Sequence, residues 1–279
     1  MTERKIPARV FAHAAQDAAT AKNTQTTPQT SSPSYKLAFQ DDAFLLRDDL
    51  RPVRFQLELL KPELLLDEAK IASTLVFYGS ARIPAPGVAS THPDPDVAKN
   101  LEALSPYYEE ARKLAQIASR VPRDEDGWRH LVVCSGGGPS IMEAANRGAD
   151  DVKADSIALN IVLPHEQVPN PYVTPDLSFQ FHYFALRKMH FLLRARAVAV
   201  FPGGFGTLDE FMELLTLIQT GKMKPIPILL FGAEFWNKVI NFQALAEEGV
   251  INFEDLNLFH WVETAEEAWA KIAEFYELD

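Results

Sequence analysis

The chain reads as an α/β protein built on a doubly wound, mostly parallel sheet with helices on both faces. Three observations lead there. From residue 71 onward, short apolar runs bounded by glycine recur. Amphipathic stretches of helical period separate them, as crossover helices separate the strands of a parallel sheet. Three of the apolar runs end in glycine-rich turns, which belong on the edge where such sheets hold ligands.

In chain order, residues 1–36 are expected to form a flexible tail. Within them "AHAAQDAATAKNTQTTPQTSSPSY" (12–35) is rich in Ala, Thr, Gln and Ser and lacks a sustained apolar period. Residues 37–73 are expected to be a helical extension. "DDAFLLRDDLRPVRFQLELLKPELLLDEAK" (41–70) has helical spacing interrupted by Pro52 and Pro62, so two or three short helices are predicted there. Residues 74–279 form the main domain. Its strands are predicted at "TLVFYG" (74–79), "HLVVCS" (130–135), "SIALNIVL" (156–163), "AVAVFP" (197–202), "IPILLFG" (226–232) and "LFHWVE" (258–263). Helical patterns fall near 106–120, 140–149, 183–195, 207–220, 234–247 and 265–276.

Composition narrows the function classes. Lys plus Arg number 27 against 38 Asp plus Glu, a net charge of −11, which argues against a broad nucleic-acid or anionic-membrane footprint. An anionic ligand must be held by local groups. Cys134 is the only cysteine, so no intrachain disulfide or cysteine-rich zinc site is expected, and a reducing cytoplasm fits. No apolar run approaches the roughly 20 residues of a membrane span, and residues 1–9 lack a signal-peptide apolar region.

The three turns are "YGSAR" (78–82), "CSGGGPS" (134–140) and "FPGGFGT" (201–207). They put Gly79, Ser80, Gly136 and Gly137 on the ligand edge. Gly203, Gly204 and Gly206 would wrap a phosphate with main-chain N–H groups while Thr207 offers a hydroxyl. The competing reading is plain helix capping: Thr207 with Glu210, and Ser140 with Glu143, both match the Ser/Thr-x-x-Glu capping box. The stretch "YFALRKMHFLLRAR" (183–196) clusters Arg187, His190 or Phe191, and Arg194 on one helical face, which could hold an anion, although for any single arginine there the solvated or ion-paired reading is favoured. His190 is expected to be a packed or surface imidazole. His130, His165, His182 and His260 have no ligand spacing, and no metal site or cofactor is predicted. No GxSxG elbow occurs, the glycines at 136–138 lack dinucleotide spacing, and Lys188 has no recognisable Schiff-base partner motif.

The string Pro202-Gly203-Gly204-Phe205-Gly206-Thr207-Leu208-Asp209-Glu210 matches PGGxGTxxE, with Arg187-Lys188 upstream. Together with "FYGSAR", "SGGGPSIMEAANRGA" and "IQTGKMKPIPILLFG", these motifs resemble the Lonely Guy family of nucleoside-monophosphate phosphoribohydrolases, whose members often carry a lysine decarboxylase label. The resemblance implies a Rossmann-like nucleotide-binding fold and a homodimer or higher homo-oligomer with sites at or near the subunit interface. It also implies hydrolysis of the N-glycosidic bond of an AMP-like or cytokinin-type purine nucleoside 5′-monophosphate. On the matching positions it makes Arg187 and Glu210 catalytic and gives the glycine-threonine loop, with Lys188 nearby, the 5′-phosphate. Where the family commonly has glycine, this chain has Ser140, and its segment before Thr74 is longer than in small members. Two other classes stand beside the enzyme: a nucleotide or cofactor sensor or carrier without catalysis, and an interaction module whose glycine turns are purely structural.

Overall fold

The computed structural model describes residues 11–164 and 168–278. The sequence readings at 1–9 and at His165 lie outside them. The chain divides into two compact units, Met1–Leu57 and Glu58–Asp279. The first contains α1 (Ala14–Lys22) and α2 (Asp42–Leu45), neither with a buried residue. Helix α3 (Arg51–Glu68) begins in it.

The second unit is a seven-stranded sheet, every strand pair parallel: β1 (Thr74–Tyr78), β2 (Val132–Ser135), β3 (Ser156–Ile161), β4 (Ser178–Phe181), β5 (Ala195–Val200), β6 (Ile228–Phe231) and β7 (His260–Val262). Their order is β4-β3-β2-β1-β5-β6-β7. The chain therefore steps outward from β1 to β4, then returns to lay β5 against the other side of β1. This is the strand reversal beyond which doubly wound sheets bind ligands, so the predicted fold class holds.

Alternation along the strands sends side chains to two cores. Leu75, Phe77, Val133, Ala197, Ala199, Leu229 and Phe231 face α5 (Pro106–Ala118), α6 (Ile141–Asp151) and α11 (Ala265–Tyr276). Val76, Tyr78, Cys134, Val198, Val200 and Leu230 face the layer of α7 (Phe184–Leu193), α8 (Phe205–Gln219), α9 (Ala233–Val239) and α10 (Phe242–Glu247). Because both faces are covered, β1, β2 and β6 are buried at every residue, which is why they read as unbroken apolar runs. Among the described residues no helix is long and apolar enough to cross a membrane.

Some elements differ from the sequence reading. Residues 234–247 form α9 and α10 instead of one helix; Ile240 is extended, and the Asn241 side chain accepts from Ala244 N at 3.0 Å to start the second. Pro62 does not end a helix, for α3 runs through it. A proline there removes the N–H that would serve the Glu58 carbonyl, and that carbonyl accepts from His190 Nε2 at 3.0 Å instead. The polar α4 (Pro95–Ala103), capped by Asp94, and the edge strand β4 were not predicted.

Helices α5 and α6 meet at Gly148. A Cβ there would overlap the Arg112 carbonyl oxygen and lie 2.7 Å from Ala115 Cβ. Gly148→Ala gains helix propensity of about 1 kcal/mol, but backbone cannot yield to it as a flexible side chain would. We expect a net destabilisation of about 1–3 kcal/mol by chemical denaturation. A variant as stable as the parent would mean that the two helices do not approach so closely.

Candidate active site

The three glycine turns converge because β2, β1 and β5 are neighbours and all point the same way. Ser80 sits at their junction. Its N–H donates to Pro202 O at 3.0 Å, its carbonyl accepts from Ile141 N at 3.4 Å, and its hydroxyl accepts from Arg82 N at 3.0 Å. Gly79 is required by packing, since a Cβ would lie 2.6 Å from Ile141 Cγ2.

The β2 turn is held from beneath by a buried polar network that sequence reasoning missed. Gly137, at φ +74, adopts a backbone that favours glycine and donates from N to Ser135 Oγ at 3.0 Å. Asn170 Nδ2 donates to the carbonyls of Gly137 (3.2 Å) and Gly138 (3.1 Å) and to Asn146 Oδ1 (2.9 Å). Asn146 in turn accepts from Ser135 Oγ at 2.7 Å and donates to Ser156 Oγ at 3.0 Å. Every polar group in this cluster is buried, so its satisfied bonds fix one loop shape. Sequence marks the pair only faintly, by Asn146 within a helical pattern and Asn170 between two prolines.

Arg187 of α7 and Glu210 of α8 come together, with Nη1 3.4 Å from Oε1 and side chains only 12% and 14% exposed. Arg187 is fixed from other directions. Its Nε donates to Leu159 O at 2.7 Å, and its guanidinium lies 5.0 Å from the Phe191 ring centroid. A Cβ on Gly136 would stand 2.6 Å from Nη2, so glycine there makes room for the arginine. Burial pushes the Glu210 carboxyl up to about 7; Arg187 and Lys188 pull it down, and Asp209 and Glu213 add to the rise. The site thus holds a carboxyl poised near neutrality beside a fixed cation.

Lys188 also reaches α8, where Nζ lies 2.9 Å from Asp209 Oδ1 and 3.1 Å from Glu213 Oε2. Burial would lower this ammonium, but the two carboxylates outweigh it and raise its pKa. An amine so held is a poor Schiff-base nucleophile.

The capping-box readings fail. Helix α8 begins at Phe205 with Gly204 as its N-cap, so Thr207 lies inside the first turn. Thr207 is buried, with its hydroxyl and methyl filling the space a Cβ on Gly203 would need. This frees the Glu210 carboxylate for Arg187. Around Gly204 and Gly206 a Cβ would meet nothing within 4 Å, so the first turn of this 15-residue helix presents open main chain. Ser140 does not cap α6 by its side chain. It sits at φ +65, and its hydroxyl donates to Ile83 O at 2.6 Å. The Glu143 carboxylate accepts from Tyr108 OH at 2.8 Å.

A cavity of about 500 Å³ lies elsewhere, lined by Arg82, Ile83, Tyr108, Ser140 and Glu143 among others, against α5 and α6. Neither Arg187 nor Glu210 lines it. Size favours that cavity, but the buried ion pair and the open helix start favour the α7–α8 side, and chemistry decides between them.

Residues 142–272 match the family model described as "Possible lysine decarboxylase". The pyrimidine/purine nucleotide 5′-monophosphate nucleosidase of Escherichia coli (strain K12) is 31% identical over 121 residues, 38% of this chain and 25% of that one. A probable cytokinin riboside 5′-monophosphate phosphoribohydrolase of Oryza sativa subsp. japonica is 32% identical over 89 residues, 32% of this chain and 39% of the relative. The chain thus spans about a quarter of the length of the first of these relatives. Among solved structures, the molybdenum cofactor carrier protein of Chlamydomonas reinhardtii is similar at 17% identity over 74% of this chain and 99% of the other, with a TM-score of 0.44.

Proposed function

We propose that this chain, whose residues 142–272 match the "Possible lysine decarboxylase" model, is a Lonely Guy family member that hydrolyses the N-glycosidic bond of a purine nucleoside 5′-monophosphate. The products are free base and ribose 5-phosphate. The observation that carries this reading is the buried Arg187–Glu210 pair beside the open start of α8.

The division of labour follows from the chemistry. The 5′-phosphate sits at the start of α8, where the main chain at Gly204 and Gly206 is open and the helix end is positive. Cleavage breaks C1′–N9, its electron pair leaving with the base, while positive charge grows on the ribose. Water supplies the oxygen that bonds to C1′, and its proton ends on the departing base. Ionised Glu210 faces the growing cation and orients the water. Arg187 holds Glu210 in place and offers charge-assisted hydrogen bonds to the substrate.

The substrate class within this reading is AMP or an N6-substituted, cytokinin-type AMP, acted on by a homo-oligomer. Incubation with a panel of purine nucleoside monophosphates, followed by chromatography, should yield free base and ribose 5-phosphate in equal amounts. Stoichiometric binding without product would replace the enzyme by a nucleotide carrier, and neither binding nor product would leave an interaction module.

A further inference from the structure

The extension that precedes β1 has so far no part in the chemistry, yet its helix α3 grips α7 at both ends. At the start of α7, the Glu58 carboxylate accepts from His182 N at 2.9 Å and Tyr183 N at 3.2 Å. Helix α7 supplies no such cap itself: its N-cap, Tyr183, makes no side-chain cap bond, and its first turn holds no acidic residue. An anion belongs at that end of a helix.

In the last turn of α7, His190 donates from Nε2 to the Glu58 carbonyl at 3.0 Å. That acceptor is free because Pro62, four residues on, has no N–H to give it. Only a protonated nitrogen can meet a carbonyl, so Nε2 carries the proton. Burial lowers the His190 pKa and keeps the ring neutral. Its Nδ1 has no hydrogen-bond partner, with Glu63 Oε1 3.7 Å away.

Just beyond the last residue of α7, Arg194 forks onto α3. Nε meets Glu63 Oε1 at 3.1 Å, and Nη2 meets Glu63 Oε2 at 2.9 Å and Asp67 Oδ1 at 2.8 Å. One helix therefore holds the other at its N-terminus, in its last turn and just beyond its end. Between those grips stand Arg187 and Lys188.

We infer that α3 is a strut that sets the axial position of α7, with Glu58 as a positioning residue that holds Arg187 in register with Glu210. This rests on the reading of Arg187 and Glu210 as the working pair. A one-residue slip of α7 would shift Arg187 about 1.5 Å along the axis, enough to spoil both its bond to Leu159 O and its pairing. The odd details then have one explanation: a proline inside a helix, a histidine buried with one orphan nitrogen, and an acid that caps a helix not its own. A strut of this kind needs Glu58 and Pro62 in fixed spacing, because one residue's carboxylate and carbonyl make two of the grips.

The test reads Glu210 without substrate. In protein labelled with ¹³C-glutamate, with the Glu210 signal assigned through Glu210→Gln, the carboxyl is titrated in the parent and in Glu58→Ala. Slackening α7 draws Arg187 away, so the Glu210 midpoint should rise by on the order of one pH unit. Glu58→Gln keeps one acceptor for the two N–H groups and should restore part of the parent midpoint. If Glu58→Ala does not fold, Glu63→Gln loosens only the far grip and should move the midpoint less, in the same direction. A folded variant that has lost thermal stability while Glu210 titrates as in the parent would overturn the strut and leave Glu58 merely structural. Because no turnover is involved, a parent that fails to release base bears on the proposed reaction alone, while an unmoved midpoint bears on the strut alone.

Discussion

Replacing Glu210 by glutamine should abolish release of free base, and should make the variant gain stability relative to the parent as the pH rises. The first effect follows from removing the carboxylate that faces the growing ribose cation in the proposed reaction. Loss of a single preorganised electrostatic partner lowers rates by roughly a hundredfold or more. The second follows from burial. The folded-state pKa of Glu210 stands at about 7 against an ordinary 4.5, the reverse of the usual salt-bridged carboxylate. Between those values the folded parent binds more protons than its unfolded chain, so its stability falls as pH climbs from 4.5 through 7, by on the order of 3 kcal/mol in all. Glutamine does not titrate and escapes this loss, whereas the bare Arg187 charge is the same at both ends of the window and cancels from the comparison. Chemical denaturation of both proteins at pH 5 and pH 8, beside a base-release assay, checks both effects. Parallel stability profiles would mean that Glu210 is not held above its ordinary value, and undiminished turnover would remove it from the mechanism. In the parent, base release should itself rise with pH through about 7, as the ionised carboxylate is populated.

Much of this architecture is legible before any coordinates. A strand buried on both faces must be apolar at every position, so β1, β2 and β6 stand out. At the edge, β4 alternates in burial and carries an exposed Gln180, and its four residues "SFQF" look like loop. Helix α4 has no buried residue, and its apolar face amounts to Val97 and Leu101 within nine residues, too short a signal to stand out. The motifs brought Arg187 and Glu210 to notice, but not their burial, which depends on how α7 and α8 lie side by side. The same holds for capping. Thr207 and Glu210 have the right spacing for a capping box, and only the start of α8 at Phe205 shows that the box is not formed. Least readable was α3: a rule that proline ends helices is sound locally, and it failed at Pro62 because His190, 128 positions later in the chain, answers the exposed carbonyl.

Arg187→Ala should be nearly as damaging as the loss of Glu210 and should act partly through it. Removing the cation deletes the strongest influence that holds the Glu210 carboxyl down, so its midpoint should move above 7 and leave it mostly protonated at neutral pH. Base release should then fall roughly a hundredfold or more. The fold should survive with a loss of about 1–3 kcal/mol, since Leu159 O loses its donor and Phe191 its overlying guanidinium. Arg187→Lys separates charge from shape. A lysine keeps the positive charge but has no planar fork to serve Leu159 O and Glu210 together, so Glu210 should titrate near its parent value while turnover recovers only in part. The measurements are the Glu210 titration and the base-release rate on the same three proteins. A Glu210 midpoint that stays at about 7 in Arg187→Ala would show that the two side chains are not coupled. The carboxyl would then owe its poise to burial alone, and the arginine would serve the substrate rather than the acid.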